Sequence, residues 1–154
     1  GSAQALSGYF TESIDLTLLD VEDVYSQKQA QVILSKFFAE NKLVPTSMID
    51  VSDGFAQDLQ HILTASHVGA RIALEQLPVH VGATLTQALT AGDDYQLCFT
   101  APEGAHDEVL QCLSVLNIDV ARVGVITEER GLHFTDADDN DVKMDLEGYQ
   151  HFVK

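Results

Sequence analysis

Between Met48 and Phe55 the chain reads Met-Ile-Asp-Val-Ser-Asp-Gly-Phe, which sets two carboxylates (Asp50 and Asp53) and one hydroxyl (Ser52) within four residues. The apolar start predicts a short buried strand that breaks at Ser-Asp-Gly into an amphipathic helix. At such a junction the first helical N–H groups lack intrahelical partners, and the positive end of the helix dipole points the same way. That environment suits a phosphate, but two carboxylates repel a bare one, so the cluster makes chemical sense with Mg²⁺ between them. Magnesium keeps several waters and takes one or two carboxylates together with substrate phosphates. The same residues also serve as an ordinary helix start, with Ser52 or Asp53 as N-cap and Gly54 as the turn residue. The local pattern leaves both uses open, and capping is the commoner one.

The elements that must position this cluster follow from hydrophobic periodicity. A strand at 47–51 leads to a helix near 54–66 with Phe55, Leu59, Ile62 and Leu63 on one face, and Asp58 and His61 are expected to be solvated or capping. A strand at 70–75 ends before Pro78. A short helix near 82–90 then precedes Ala91-Gly92-Asp93-Asp94. Tyr95, Leu97 and Phe99 alternate as a strand, with Tyr95 read as a core residue. Val109, Leu110, Leu113 and Leu116 mark a helix, a strand follows at 120–126, and Gly131 to Leu146 reads as a hairpin around the acidic turn Asp136–Asp141. Upstream, residues 3–10 suggest a short helix, and Ile14, Leu16 and Leu18 alternate as a half-buried strand. Ser26 to Gln29 matches a capping box that opens a helix running to Glu40, with Ala30, Ile33, Leu34, Phe37 and Phe38 on one face. The pattern predicts an α+β fold, a mixed sheet packed with helices.

Composition narrows the classes. The chain has 154 residues, enough for one good core or two small ones, and a formal net charge of −16. No basic cluster exists to displace counterions from DNA or RNA, and the charge equally disfavours an anionic membrane surface. Cys98 and Cys112 form no metal-ligand or redox spacing and read as buried free thiols. The acidic loop at 136–141 lacks the spacing, the central glycine and the terminal glutamate of a calcium loop, so a solvated hairpin tip is expected. Neither a signal peptide nor a membrane-length apolar run is present, which predicts a cytoplasmic protein. Gly1-Ser2 resembles the remnant of a cleaved tag.

Three segments together resemble the C-terminal domain of bacterial thiamine-monophosphate kinase, from about Leu43 to the C-terminus. They are Ser47–Leu63, continued by Ser66, Gly69-Ala70 and Leu77-Pro78; Ala88–Thr100; and Gly148–Phe152. The resemblance implies ATP-dependent phosphorylation of thiamine monophosphate with Mg²⁺. By position it makes Asp50 and Asp53 metal ligands, Ser52 a nucleotide contact, and Asp93 and Tyr149 substrate contacts. A carboxylate and an aromatic face suit a cationic thiazolium ring. Where the family carries Gly-Gly-Glu-Asp-Tyr-Glu this chain has Ala91-Gly92-Asp93-Asp94-Tyr95-Gln96, so the acidic contact has a shorter reach. The connection from Leu77-Pro78 to Ala88-Leu89 is also shorter than the family's.

Residues 3–42 resemble a different, uncharacterised bacterial family of nuclear-transport-factor-like cone fold. The resemblance rests on Ala5–Phe10, Ile14–Leu19 and Val24–Ala39. Two unrelated fragments in one chain predict an engineered or recombined hybrid. Its N-terminal piece should stay ordered by packing on the rest, extending the sheet or covering a face, so that one merged core forms. The expected function is a non-catalytic hybrid derived from the kinase. The alternatives are residual Mg²⁺-dependent binding of thiamine phosphate or nucleotide, or kinase activity when another chain completes the site. An exposed edge or face would favour oligomers.

Overall fold

Among the described residues, alternating and continuous apolar runs generate seven strands: β1 (Ile14–Asp20), β2 (Met48–Val51), β3 (Gly69–Ala73), β4 (Gln96–Pro102), β5 (Asp119–Thr127), β6 (Gly131–Thr135) and β7 (Asp141–Val142). Between them lie helices α1 (Phe55–Ser66), α2 (Leu85–Thr90) and α3 (His106–Ser114), with a 3₁₀ turn at Leu74–Gln76. This computed structural model describes residues 14–20, 47–92, 96–114, 119–144 and 146, together with Val32, Ser35, Lys36, Ala39 and Glu40. The strands form one sheet in the order β2-β4-β1-β5-β3-β6-β7. The β3–β6 pair is parallel and the other neighbours are antiparallel. The α+β expectation holds.

The sheet is covered on both faces, which explains why β4 is buried along most of its length. Cys98 shares a core with Val51, Phe55, Leu59 and Leu63, on the side of α1. Leu97, Phe99 and Ala101 alternate with it and are also buried, as are Ala105, Val109 and Leu113 at and along α3. A register shift opposite Leu16 and Thr17 marks a bulge at Val123 in β5. The bulge changes the alternation there, so Val123 and Ile126 both reach the α1-side core despite their odd spacing.

The N-terminal strand does not extend the sheet, as a grafted edge would. β1 lies inside it, pairing Leu18 with Cys98 of β4 on one side and with Ala121 of β5 on the other. The end position belongs to β2, whose one partner among the described strands is β4. Val32, Ser35, Lys36, Ala39 and Glu40 are helical and exposed, and Lys36 and Glu40 form an i,i+4 ion pair at 3.7 Å. They belong to the outward side of the expected helix. Its apolar positions, its capping box and the helix at 3–10 lie outside the described residues.

Two boundaries, at the end of β3 and the start of α2, differ from the sequence reading for identifiable reasons, while the end of α1 agrees with it. β3 stops at Ala73 and turns through Leu74–Gln76, after which Leu77 is extended, as a residue before proline prefers. α2 starts at Leu85 because Thr84 and Gln87 form a reciprocal capping box, with Gln87 N–H donating to Thr84 Oγ1 and Thr84 N–H to Gln87 Oε1. α1 ends at His67 in the left-handed region, where the His67 and Val68 N–H groups donate to the Thr64 and Leu63 carbonyls. The acidic tip is a self-bonded turn. Asp136 Oδ1 accepts from the Asp138 and Asn140 N–H groups, and Arg71 meets Asp139 at 3.0 Å. The bonds from Asn140 hold the Asp136 carboxyl below the usual carboxylate range.

Candidate functional site

β2 delivers Asp50, Ser52 and Asp53 to the end of the sheet. Ile49 and Val51 pack toward α1, so alternation along the strand turns Asp50 to the opposite face. Asp50, Ser52 and Asp53 are all half-buried. The chain then turns at Gly54, whose φ of 113° is left-handed-side backbone. Phe55, 1% exposed, anchors the first turn of α1 in the core.

Gly54, rather than Ser52 or Asp53, caps α1. No side chain caps the helix start, and the Gly54 carbonyl accepts from Asp58 N–H at 3.0 Å. Two amides just ahead of the helix are engaged from within. Ser52 N–H and Asp53 N–H both donate to Asp58 Oδ2, at 2.8 and 3.0 Å. Asp58 is therefore no solvated helix residue; it is 5% exposed and holds the turn from below. His61, by contrast, is exposed as expected.

A second chain segment braces the turn. A Cβ on Gly92 would sit 2.6 Å from the Ser52 carbonyl oxygen, and a Cβ on Gly54 would sit 2.9 Å from that of Thr90. The stretch after α2 and the stretch after β2 thus touch backbone to backbone, a closeness that requires glycine on both sides. Asp93 follows Gly92 in sequence but lies outside the described residues, as do Asp94, Tyr95 and Tyr149.

The donor chemistry at the turn fits a hard cation. Asp50 and Asp53 supply carboxylate oxygens, and magnesium needs one or two of these when phosphates complete its shell. Among the described residues no group of three or more His, Cys, Asp or Glu side chains is placed to hold a metal. Among the described residues the turn thus offers two carboxylates, those of Asp50 and Asp53.

Cys98 lies beneath the same region. Burial, and secondarily the negative charge of Asp58, push its thiol up to about 12. At pH 8 this leaves roughly a thousandfold less thiolate than an ordinary thiol. In a Cys112→Ser background, Cys98 should resist a disulfide reagent in the native protein and react at the rate of unfolding. Fast native labelling would contradict its enclosure.

The fold defines the class first: an α+β unit shared with E. coli HypE, a hydrogenase maturation protein. The two are 18% identical with a TM-score of 0.69, over 94% of this chain and 52% of that one. AaThiL, solved with AMPPCP and TMP, shares the fold at 20% identity and a TM-score of 0.57, over 92% of this chain and 52% of its own. At the level of sequence, about 70% of the chain is homologous to thiamine-monophosphate kinase. The protein from Escherichia coli K12 is 40% identical over 116 residues, which cover 70% of this chain and 35% of the kinase. The chain thus spans about a third of the length of that curated relative. A family model described as "Domain of unknown function (DUF4783)" matches residues 1–62. No helix among the described residues is long and apolar enough to cross a membrane.

Proposed function

We propose that this chain carries the metal-and-phosphate half of a thiamine-phosphate kinase site, and that these 154 residues alone bind ligand without turning it over. The observation that carries the reading is the Asp50–Ser52–Asp53 turn, held by Asp58 and braced by Gly92, in a chain with kinase homology. Asp50 and Asp53 would hold Mg²⁺, and Ser52 would meet the nucleotide. Bound there, the metal supplies the positive charge that lets two phosphate-bearing molecules approach. By resemblance, Asp93 and Tyr149 are the contacts for thiamine monophosphate. AaThiL was solved with AMPPCP and TMP, which supports the same pair of ligands here. Phosphoryl transfer depends on several groups acting together, and the chain spans a third of its kinase relative.

Calorimetric titration with thiamine monophosphate, with and without Mg²⁺ and a non-hydrolysable ATP analogue, tests this. Metal-dependent binding that disappears in Asp53→Asn is the expected result, and its absence at millimolar ligand would sink the reading. We also infer a two-fragment organisation, with a nuclear-transport-factor-like piece over 3–42 joined to a kinase-derived piece from about residue 43. This organisation rests on the two sequence resemblances alone, since the family model matched over residues 1–62 runs past residue 43 into the kinase-like stretch. One natural protein homologous across both pieces would overturn the hybrid origin.

A further inference from the structure

We propose that Asp58 is the positioning residue of this half-site, a role that rests on the metal-binding reading above. The two amides it holds belong to Ser52 and Asp53, the proposed nucleotide contact and one of the two proposed metal ligands. Both donate to a single oxygen, Oδ2, at 2.8 and 3.0 Å. A single acceptor shared by consecutive amides fixes the orientation of the peptide plane between them, and with it the directions in which the Ser52 and Asp53 side chains leave the backbone. Asp58 is itself placed by α1. It stands three residues after Phe55 and one before Leu59, both 1% exposed, and its own N–H donates to Gly54. The helix thus converts its rigidity into the geometry of the turn. Asp58 touches no ligand in this arrangement and acts through the backbone of the two residues that would.

The shared oxygen makes the role separable from a general structural one. In Asp58→Asn the amide carbonyl can occupy the place of Oδ2 and accept from both N–H groups, keeping the orientation while losing the charge. In Asp58→Ala neither bond survives. The test combines amide hydrogen exchange at Ser52 and Asp53 with calorimetric binding of thiamine monophosphate plus Mg²⁺ and a non-hydrolysable ATP analogue. In Asp58→Asn the two amides should stay protected, with affinity within about threefold of the parent. In Asp58→Ala they should exchange freely, with affinity at least about tenfold weaker, as the loss of a hydrogen bond to a charged group implies. If Asp58→Ala fails to fold, the Asp58→Asn comparison still decides. Loss of binding in Asp58→Asn with both amides protected would assign the effect to charge and overturn positioning. Unchanged binding in a folded Asp58→Ala would overturn it as well. If the parent protein shows no Mg²⁺-dependent binding, the half-site reading fails and this role with it. The exchange data would then still report separately whether the clamp on the two amides exists.

Discussion

Leu18→Pro should destabilise the whole protein by about 4 kcal/mol, and the loss should appear in a single unfolding transition. Leu18 lies in β1, between Cys98 of β4 and Ala121 of β5, in regular pairing one residue past the bulge opposite Leu16 and Thr17. A residue inside a sheet has no solvent-facing edge on which a missing N–H is harmless. Proline there removes a ladder hydrogen bond and adds a ring that the neighbouring strand cannot clear. Against the 5–15 kcal/mol typical of a domain, such a loss is a large fraction of the total. The measurement is urea denaturation followed by circular dichroism and by Cys98 accessibility. If residues 3–42 formed a unit of their own, proline would abolish an early transition and leave the later one at its original midpoint. Two transitions with the second unmoved would therefore refute one merged core. Coincident transitions shifted together would show that the N-terminal strand is structural to the site-bearing part.

The central place of β1 was not legible in the sequence. Ile14, Leu16 and Leu18 mark a strand by period alone, but its partners lie about 80 and about 100 residues further on. Nothing local specifies pairing at such separations. The β2–α1 unit, by contrast, was legible almost to the residue, because a strand, a turn signal and a helical period sit next to one another. Asp58 shows where local reading fails. A lone carboxylate on a helix ordinarily faces water, yet its spacing from Phe55 and Leu59 puts it on the buried side, and that spacing was the available signal. The cap assignment failed because Ser52 and Asp53 are good caps by type, but the helix begins only at Phe55 and Gly54 takes the cap position. The bulge at Val123 left no trace in composition, since it depends on how β5 meets β1. At the turn, the clustering of Asp50, Ser52 and Asp53 was legible from residue types, whereas the brace from Gly92 was not, because an approach between backbones carries no side-chain signature.

That brace carries the second large effect. Gly54→Ala should lower stability by about 3 kcal/mol and abolish Mg²⁺-dependent ligand binding. Two costs combine at this residue. A φ of 113° is open to glycine and strained for alanine, and the new Cβ would lie 2.9 Å from the Thr90 carbonyl oxygen. Relief cannot come from either flank, because Phe55 is locked in the core and β2 is tied to β4 through the Met48–Phe99 to Val51–Gln96 register. The backbone must therefore give at Ser52 and Asp53, which breaks their bonds to Asp58 and redirects the side chains proposed to meet nucleotide and metal. Gly92→Ala approaches the same contact from the other segment, with its Cβ 2.6 Å from the Ser52 carbonyl oxygen. It carries the collision without the left-handed strain and should cost less, about 2 kcal/mol. Because both substitutions force the same two segments apart, the double variant should lose less than the sum of the single ones. Urea midpoints of the four proteins supply the cycle. Strict additivity would mean that the segments relax independently, and the turn would then owe its shape to Asp58 alone.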